Sequence, residues 1–267
     1  MDGAGRGAAR MMAVARFRFY EELNDFLPAE RRKIMFVHVF GQRASVKDMI
    51  ESFGVPHTEI DLILVNGRAV DFTYIVQADD DISVYPMFES FDIASLVRLR
   101  AEPLRKPKFV LDTHLGKLAR YIRLLGFDAC YDNAYHDAQL VDIAADERRT
   151  ILTRDVGLLK RKRVTRGYFV RSTVPLIQLR EVVDRFDLRR SAKPFTRCVR
   201  CNVMLLEVSK NDLDVDVPSD VLNRFDRFRL CPVCERVFWQ GSHYERMQHY
   251  VEALLSNFDG GCAGHIG

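Results

Sequence analysis

No stretch of about 18 consecutive apolar residues occurs in the 267-residue chain, so a membrane-spanning helix is not expected. The opening residues, MDGAGRGAARMMAVARFRF, lack an apolar export core followed by a cleavage site. That absence points to the cytoplasm, and residues 1–13 read as a disordered Gly/Ala-rich leader. No internal repeat is found, which argues against a repeat architecture. Nor is there a strong excess of one charge, since 40 Lys+Arg against 37 Asp+Glu leave a net charge of +3. Charge is instead divided along the chain. Residues 14–104 carry 10 Lys+Arg against 15 Asp+Glu, a balance of −5, and residues 105–190 carry 19 against 11, a balance of +8. A basic segment beside an acidic one suits either a surface that meets a polyanion or a solvated basic face.

Cysteine is scarce, with six in all, and four of these stand in two CxxC pairs. Cys198-x-x-Cys201 and Cys231-x-x-Cys234 are separated by 29 residues. In a reducing compartment this pattern favours metal over disulfides, and two such knuckles supply four thiolates for a closed, structural zinc site. Cys130 is expected to be a buried strand residue, and Cys262 lies in the Gly-rich tail GGCAGHIG.

From Val14 to Ile93 the pattern gives a strand at VARFRFY and a second at KIMFVHVF. A helix follows at SVKDMIESFG, capped by Ser45, supported by Asp48 and ended at Gly54. DLILVNGRAVDF reads as two strands about an Asn-Gly turn, and ISVYPMF as a last strand. This order is that of a β-grasp fold, and the segment resembles the ubiquitin-like sulfur-carrier family. That family's carrier chemistry needs a terminal Gly-Gly. Here the chain continues YPMFESFDIASL without a Gly pair, so carrier chemistry is not expected and the segment reads instead as a docking or regulatory module.

After a charged, Pro-containing linker, strands and helices alternate, which argues for a parallel sheet. FVLD, FDACY, TILT and GYFV read as strands, and THLGKLARYIRLLG, DAQLVDIAADERR and PLIQLREVVDRF as helices. Leu115, Leu118, Ile122 and Leu125 share one helical face that Gly126 closes, and Leu176, Leu179, Val183 and Phe186 share another. Asp137 is the expected cap of the second helix. Sites on open parallel sheets sit at the carboxyl ends of strands, where Asp112 follows FVL and Asp155 follows TILT by two residues. With Asp137, these three carboxylates would repel unless a hard cation neutralised them. Each can instead be read as a cap or a strand end. Lys117, Arg120 and Arg123 are spaced by three on the first helix, Arg154 neighbours Asp155, and Lys160 to Arg166 form a basic run. These cations suit phosphate binding.

FVLDTHLGKLARYIRLLGFDACY, the Asp-initiated second helix and ILTRD together resemble the Mut7-C ribonuclease domain, a PIN-like nuclease family. With the ribbon, the resemblance covers roughly residues 109–250, and the N-terminal segment resembles the ubiquitin-like domain fused to that family. It implies Asp112, Asp137 and Asp155 as Mg²⁺ or Mn²⁺ ligands and catalytic residues for RNA cleavage. A fourth acidic position stays open between Asp132 and Asp142. The match extends through Trp239–His243, where His243 is an RNA contact, a support of the nuclease site, or a packed or surface histidine.

The expected organisation is a leader (1–13), a ubiquitin-like β-grasp domain (14–93), a linker (94–108), a PIN-like α/β nuclease domain (109–190), a zinc ribbon with a C-terminal helix (194–258) and a flexible tail (259–267). The expected function is a cytoplasmic metal-dependent endoribonuclease with structural zinc, and Lys117, Arg120, Arg123 and Arg154 hold the RNA. Cleavage of DNA is left open. The alternatives are a non-catalytic RNA-binding protein and an adaptor that recruits a protein partner through its ubiquitin-like module.

Overall fold

The structure, a computed structural model, describes residues 12–86, 107–213 and 217–256, apart from the side chains of Ser242 and His243. Most of the leader, the end of the first segment, nearly all of the linker and the tail with Cys262 lie outside the described residues. Among the described residues no helix is long and apolar enough to cross a membrane.

The N-terminal segment builds β1 (Ala13–Phe19), β2 (Phe36–Phe40), α1 (Val46–Ser52), β3 (Ile60–Val65), β4 (Arg68–Val70) and β5 (Asp81–Pro86). Their order in the mixed sheet is β2-β1-β5-β3-β4, with β1 parallel to β5 and antiparallel to β2. This is the expected β-grasp arrangement. Alternation along β1 sends Ala15, Phe17 and Phe19 inward and Val14, Arg16 and Arg18 outward. The inner rings meet those of Phe36 and Phe53, with Phe17 and Phe53 edge-to-face at 5.0 Å. Burying each such ring contributes about 2–3 kcal/mol. Ser45 caps α1 by accepting the Asp48 amide hydrogen, as its sequence position suggests.

The central segment builds β6 (Lys108–Leu111), α2 (Gly116–Leu124), β7 (Asp128–Cys130), α3 (Asp137–Asp146), β8 (Thr150–Thr153), α4 (Val156–Leu159), β9 (Gly167–Phe169) and α5 (Pro175–Arg185). The four strands form a parallel sheet in the order β7-β6-β8-β9. Phe109, Val110, Leu111, Ile151 and Leu152 are fully buried, as expected for strands covered on both faces. Leu115, Leu118, Ile122 and Leu125 all face inward as the helical spacing requires.

Two local expectations are corrected. The cap of α3 is His136, whose ring accepts the Gln139 amide hydrogen while the Gln139 side chain accepts from the His136 amide. Asp137 is therefore the first helical residue rather than the cap. Leu176 is 39% exposed, because it lies in the first turn of α5, ahead of the stripe formed by Leu179, Val182 and Val183.

The C-terminal segment builds β10 (Leu206–Ser209), α6 (Ser219–Arg224), β11 (Arg227–Leu230), β12 (Val237–Phe238) and α7 (Ser242–Ser256), with the strands antiparallel in the order β10-β11-β12. By compactness the chain divides into two units. One takes in the described part of Met1–Arg105 together with Asp155–Phe169; the other takes in the described parts of Lys106–Arg154 and Val170–Gly267.

Within the second unit, the turn after α2 is held against the start of the ribbon. Lys193 and Phe195 donate their amide hydrogens to the carbonyls of Leu125 and Leu124 at 3.0 and 2.8 Å. Gly126 makes this approach possible. Its φ is +92°, and a Cβ there would stand 2.2 Å from the Lys193 carbonyl oxygen. Backbone on both sides cannot move aside cheaply, so Gly126→Ala is expected to destabilise this unit by about 2–4 kcal/mol. Thermal unfolding of the full chain reads the loss.

Candidate metal centre and acidic rim

Each cysteine pair folds as a tight knuckle. Cys198 and Cys231 are buried, and their sulfurs face the amide groups of Cys201 and Cys234 at 3.4 and 3.5 Å. The next residues, Asn202 and Glu235, adopt positive φ and turn the chain back. Asn202 then donates its amide hydrogen to the Cys198 carbonyl, and Glu235 does the same to that of Cys231. The four sulfurs all lie within 4.8 Å of one another. This matches the thiolate set of a tetrahedral zinc site, and the closed arrangement, with Cys198 and Cys231 buried and Cys201 and Cys234 half-buried, fits a structural role. Four thiols this close cannot all ionise without a cation. Burial and the neighbouring sulfurs push Cys201 up to about 12. At Cys234 burial pushes upward too, but hydrogen bonds from the Arg236 backbone and the other thiols bring it down to about 7. Because zinc binds thiolates, acidification opposes loading.

A buried polar network ties the first knuckle to the central sheet. Arg123 is only 5% exposed; its Nε donates to the Ala129 carbonyl at 2.8 Å, and its Nη1 donates to the carbonyls of Val199 and Arg200 at 3.1 and 2.9 Å. Those two carbonyls lie between Cys198 and Cys201. Asn202 continues the network by accepting the Ala129 amide hydrogen and donating to Asp128 at 2.7 Å. Asp128 in turn forms a two-point ion pair with Arg149, which also donates to the Phe109 carbonyl. Arg123 was expected to contact RNA, since it continues the spacing of Lys117 and Arg120. That role is corrected: α2 turns its third basic side chain into the interior, where its charge is matched to backbone dipoles. Arg154 is likewise committed to backbone, its Nη1 donating to the carbonyls of Val170, Arg171 and Ser172. Lys117 and Arg120 are exposed. Cys130 lies on β7 as expected but is half-buried, with its sulfur 3.4 Å from the Tyr135 hydroxyl.

The three aspartates occupy element ends. Asp112 follows β6 and caps the next turn by accepting the Thr113 amide hydrogen at 2.6 Å. Its other oxygen accepts the Thr153 hydroxyl at 2.7 Å, from the end of neighbouring β8. The register sets Leu111 opposite Leu152, so the Asp112–Thr153 bond closes the carboxyl edge of the strand pair. Asp137 opens α3 and is half-buried. Asp155 is exposed and caps α4 by accepting the Gly157 amide hydrogen. The two aspartates considered for a fourth position, Asp132 and Asp142, are exposed; Asp132 caps a local turn through Ala134. Among the described residues, the four cysteines are the one group of three or more such side chains whose ligand atoms all lie within 4.8 Å. The aspartates are not drawn that tightly together. Thr153 and Asn202 were not singled out from the sequence, since a Thr ending a strand and an Asn after a cysteine carry no signal until the partner strand is known.

A family model for the Mut7-C RNAse domain matches residues 107–251, and one for the Mut7-C ubiquitin domain matches residues 12–92. The chain belongs to the Mut7-C RNAse domain family. Both domains stand in the expected order, and membership suggests nuclease-type activity. No curated protein and no solved structure matches the chain.

Two predictions concern the cysteine-bearing unit of this Mut7-C chain. Arg123→Lys keeps the charge but cannot reach three carbonyls, and should cost about 2–4 kcal/mol together with weaker zinc retention against a chelator. The second concerns Asp128. Burial pushes its carboxyl upward, but hydrogen bonds from Arg149 and Asn202 outweigh this and hold it below the usual carboxylate range. A depressed folded-state value adds stability above the ordinary value of about 4, and that stability is lost as pH falls through the depressed value. Urea unfolding at pH 7 and near pH 3 should therefore show a larger acid loss for the wild type than for Asp128→Asn.

Proposed function

We propose that the protein is a metal-dependent endoribonuclease whose reaction takes place at the rim formed by the carboxyl ends of the central strands. The observation that carries this reading is the position of Asp112, fixed at the end of β6 by the Thr153 hydroxyl of the adjacent parallel strand, in a chain whose matching family is a ribonuclease domain. Asp137 and Asp155 are the further proposed ligands. All three offer only oxygen donors, which suits Mg²⁺ or Mn²⁺, and such ions keep several waters, so the carboxylates need not crowd together as the cysteines do. When bound, the ion supplies an activated water and stabilises charge on the scissile phosphate. The chain's own groups do the positioning. Thr153 orients Asp112, and the exposed Lys117 and Arg120 hold the RNA backbone beside it. The four cysteines hold structural zinc, so the two metals have separate tasks.

Asp112→Asn should lower cleavage of single-stranded RNA in Mn²⁺ by more than about 100-fold, while RNA binding in gel shift persists. Thr153→Val should cost about 10–100-fold by freeing the same carboxylate. Lys117→Ala and Arg120→Ala should raise KM and each reduce the slope of affinity against salt by about 1. A wild-type protein that binds RNA but never cuts it with either ion would leave a non-catalytic RNA-binding protein. A second reading, recruitment of a protein partner through the ubiquitin-like module, draws on the exposed Val14, Val37 and Val39 of its outer sheet face. Changing Val37 and Val39 to Asp should abolish such recruitment with cleavage intact.

A further inference from the structure

The ubiquitin-like module holds a piece of chain far from it in sequence. Residues 155–169 begin at Asp155, run through α4 and the basic stretch, end in β9, and form one compact unit with the N-terminal sheet. Contacts from several side chains fix them there. The Lys160 ammonium donates to the Glu51 carbonyl at 2.7 Å, in α1. His57 bridges the two parts, with Nδ1 2.6 Å from Glu51 Oε1 and Nε2 2.8 Å from the Val164 carbonyl oxygen. Glu59 is fully buried, and its Oε1 accepts the Phe169 amide hydrogen at 2.6 Å. The Phe169 ring stands edge-to-face with Phe26 at 5.4 Å. His57, Thr58 and Glu59, a single turn before β3, are all buried although each is polar. Surface turns rarely bury three polar side chains in a row; here two of them are aimed at backbone groups of the 155–169 segment.

We infer that the ubiquitin-like module is a positioning element for the nuclease site. Through His57 and Glu59 it orders the segment that begins at Asp155 and carries the basic run. This rests on the proposed metal role of Asp155. Tethering at Val164 and Phe169 fixes the far end of the segment, and Leu158 and Leu159, both buried, fix α4 behind Asp155. Without these contacts the stretch between β8 and β9 is held chiefly at its two ends, and its carboxylate would meet the ion in only a fraction of the conformations left to it. The apparent affinity for the ion then falls by that fraction. His57 and Glu59 are positioning residues that act through Asp155, and nothing in their placement requires them to touch RNA.

The test uses the full chain with its zinc, comparing wild type with Glu59→Leu, which removes the acceptor, and Glu59→Gln, which keeps an acceptor oxygen. Hydrogen exchange read by mass spectrometry is expected to be at least about 10-fold faster over residues 155–169 in Glu59→Leu, with β6 and α2 unchanged. The Mn²⁺ concentration for half-maximal cleavage should rise by a similar factor, with the rate at saturating Mn²⁺ largely recovered, and Glu59→Gln should fall between Glu59→Leu and wild type in both readings. If Glu59→Leu loses protection throughout β1–β5, His57→Ala replaces it as the probe. Unchanged exchange over 155–169, or faster exchange with an unchanged Mn²⁺ requirement, overturns the positioning role. Absence of any Mn²⁺-dependent cleavage by the wild type overturns instead the nuclease reading on which the role rests.

Discussion

The guanidinium of Arg123 has almost no access to water, and its position constrains everything around it. A buried charge is tolerated only where fixed dipoles replace its hydration, and here three carbonyls do so, one from β7 and two from the first zinc knuckle. Asn202, Asp128 and Arg149 extend the same network across the neighbouring strands. The ribbon and the central sheet therefore share one polar interior. A zinc ion held by the four cysteines would fix the knuckle and with it the carbonyls that solvate Arg123; Arg123, by holding the knuckle, preserves the spacing of the sulfurs. This reciprocity, beside the buried Phe228 of the ribbon, keeps the cysteine site docked on the sheet.

Negative charge stands at the carboxyl ends of the central strands. Asp112 ends one strand of the parallel sheet, and Asp155 follows the end of its neighbour. The Thr153 hydroxyl takes one lone pair of Asp112 and holds the carboxylate at the strand ends. Carboxylates placed at such ends serve little in packing, and under the proposed function a divalent ion would be the partner of the Asp112 carboxylate. The proposed division between two metals rests on donor chemistry: sulfur in a closed site suits a structural zinc ion, and oxygen on an open rim suits a hard ion that keeps its waters.

Much of this was legible in the sequence because periodicity and turn chemistry are local. The alternation in VARFRFY and the Ser45 cap mark β-grasp elements, and the CxxC pairs mark the sulfur cluster that the fold brings together. What was not legible depends on long-range partners. Spacing by three put Arg123 with Lys117 and Arg120, but α2 is wrapped closely enough by the ribbon that the third position points inward. His136 outcompeted Asp137 as a cap because Gln139 reciprocates its hydrogen bond, an effect visible only in the paired geometry. The attachment of residues 155–169 to His57 and Glu59 spans about 110 positions in the chain, and no local pattern announces it.

The most direct measurement is anomalous scattering from a crystal soaked in Mn²⁺, with data collected at both the manganese and zinc edges. The account predicts a zinc peak among Cys198, Cys201, Cys231 and Cys234 and a separate manganese peak in contact with the Asp112 carboxylate. Zinc at the cysteines with no manganese beside Asp112, under soaking conditions in which the dissolved protein cuts RNA, would contradict it.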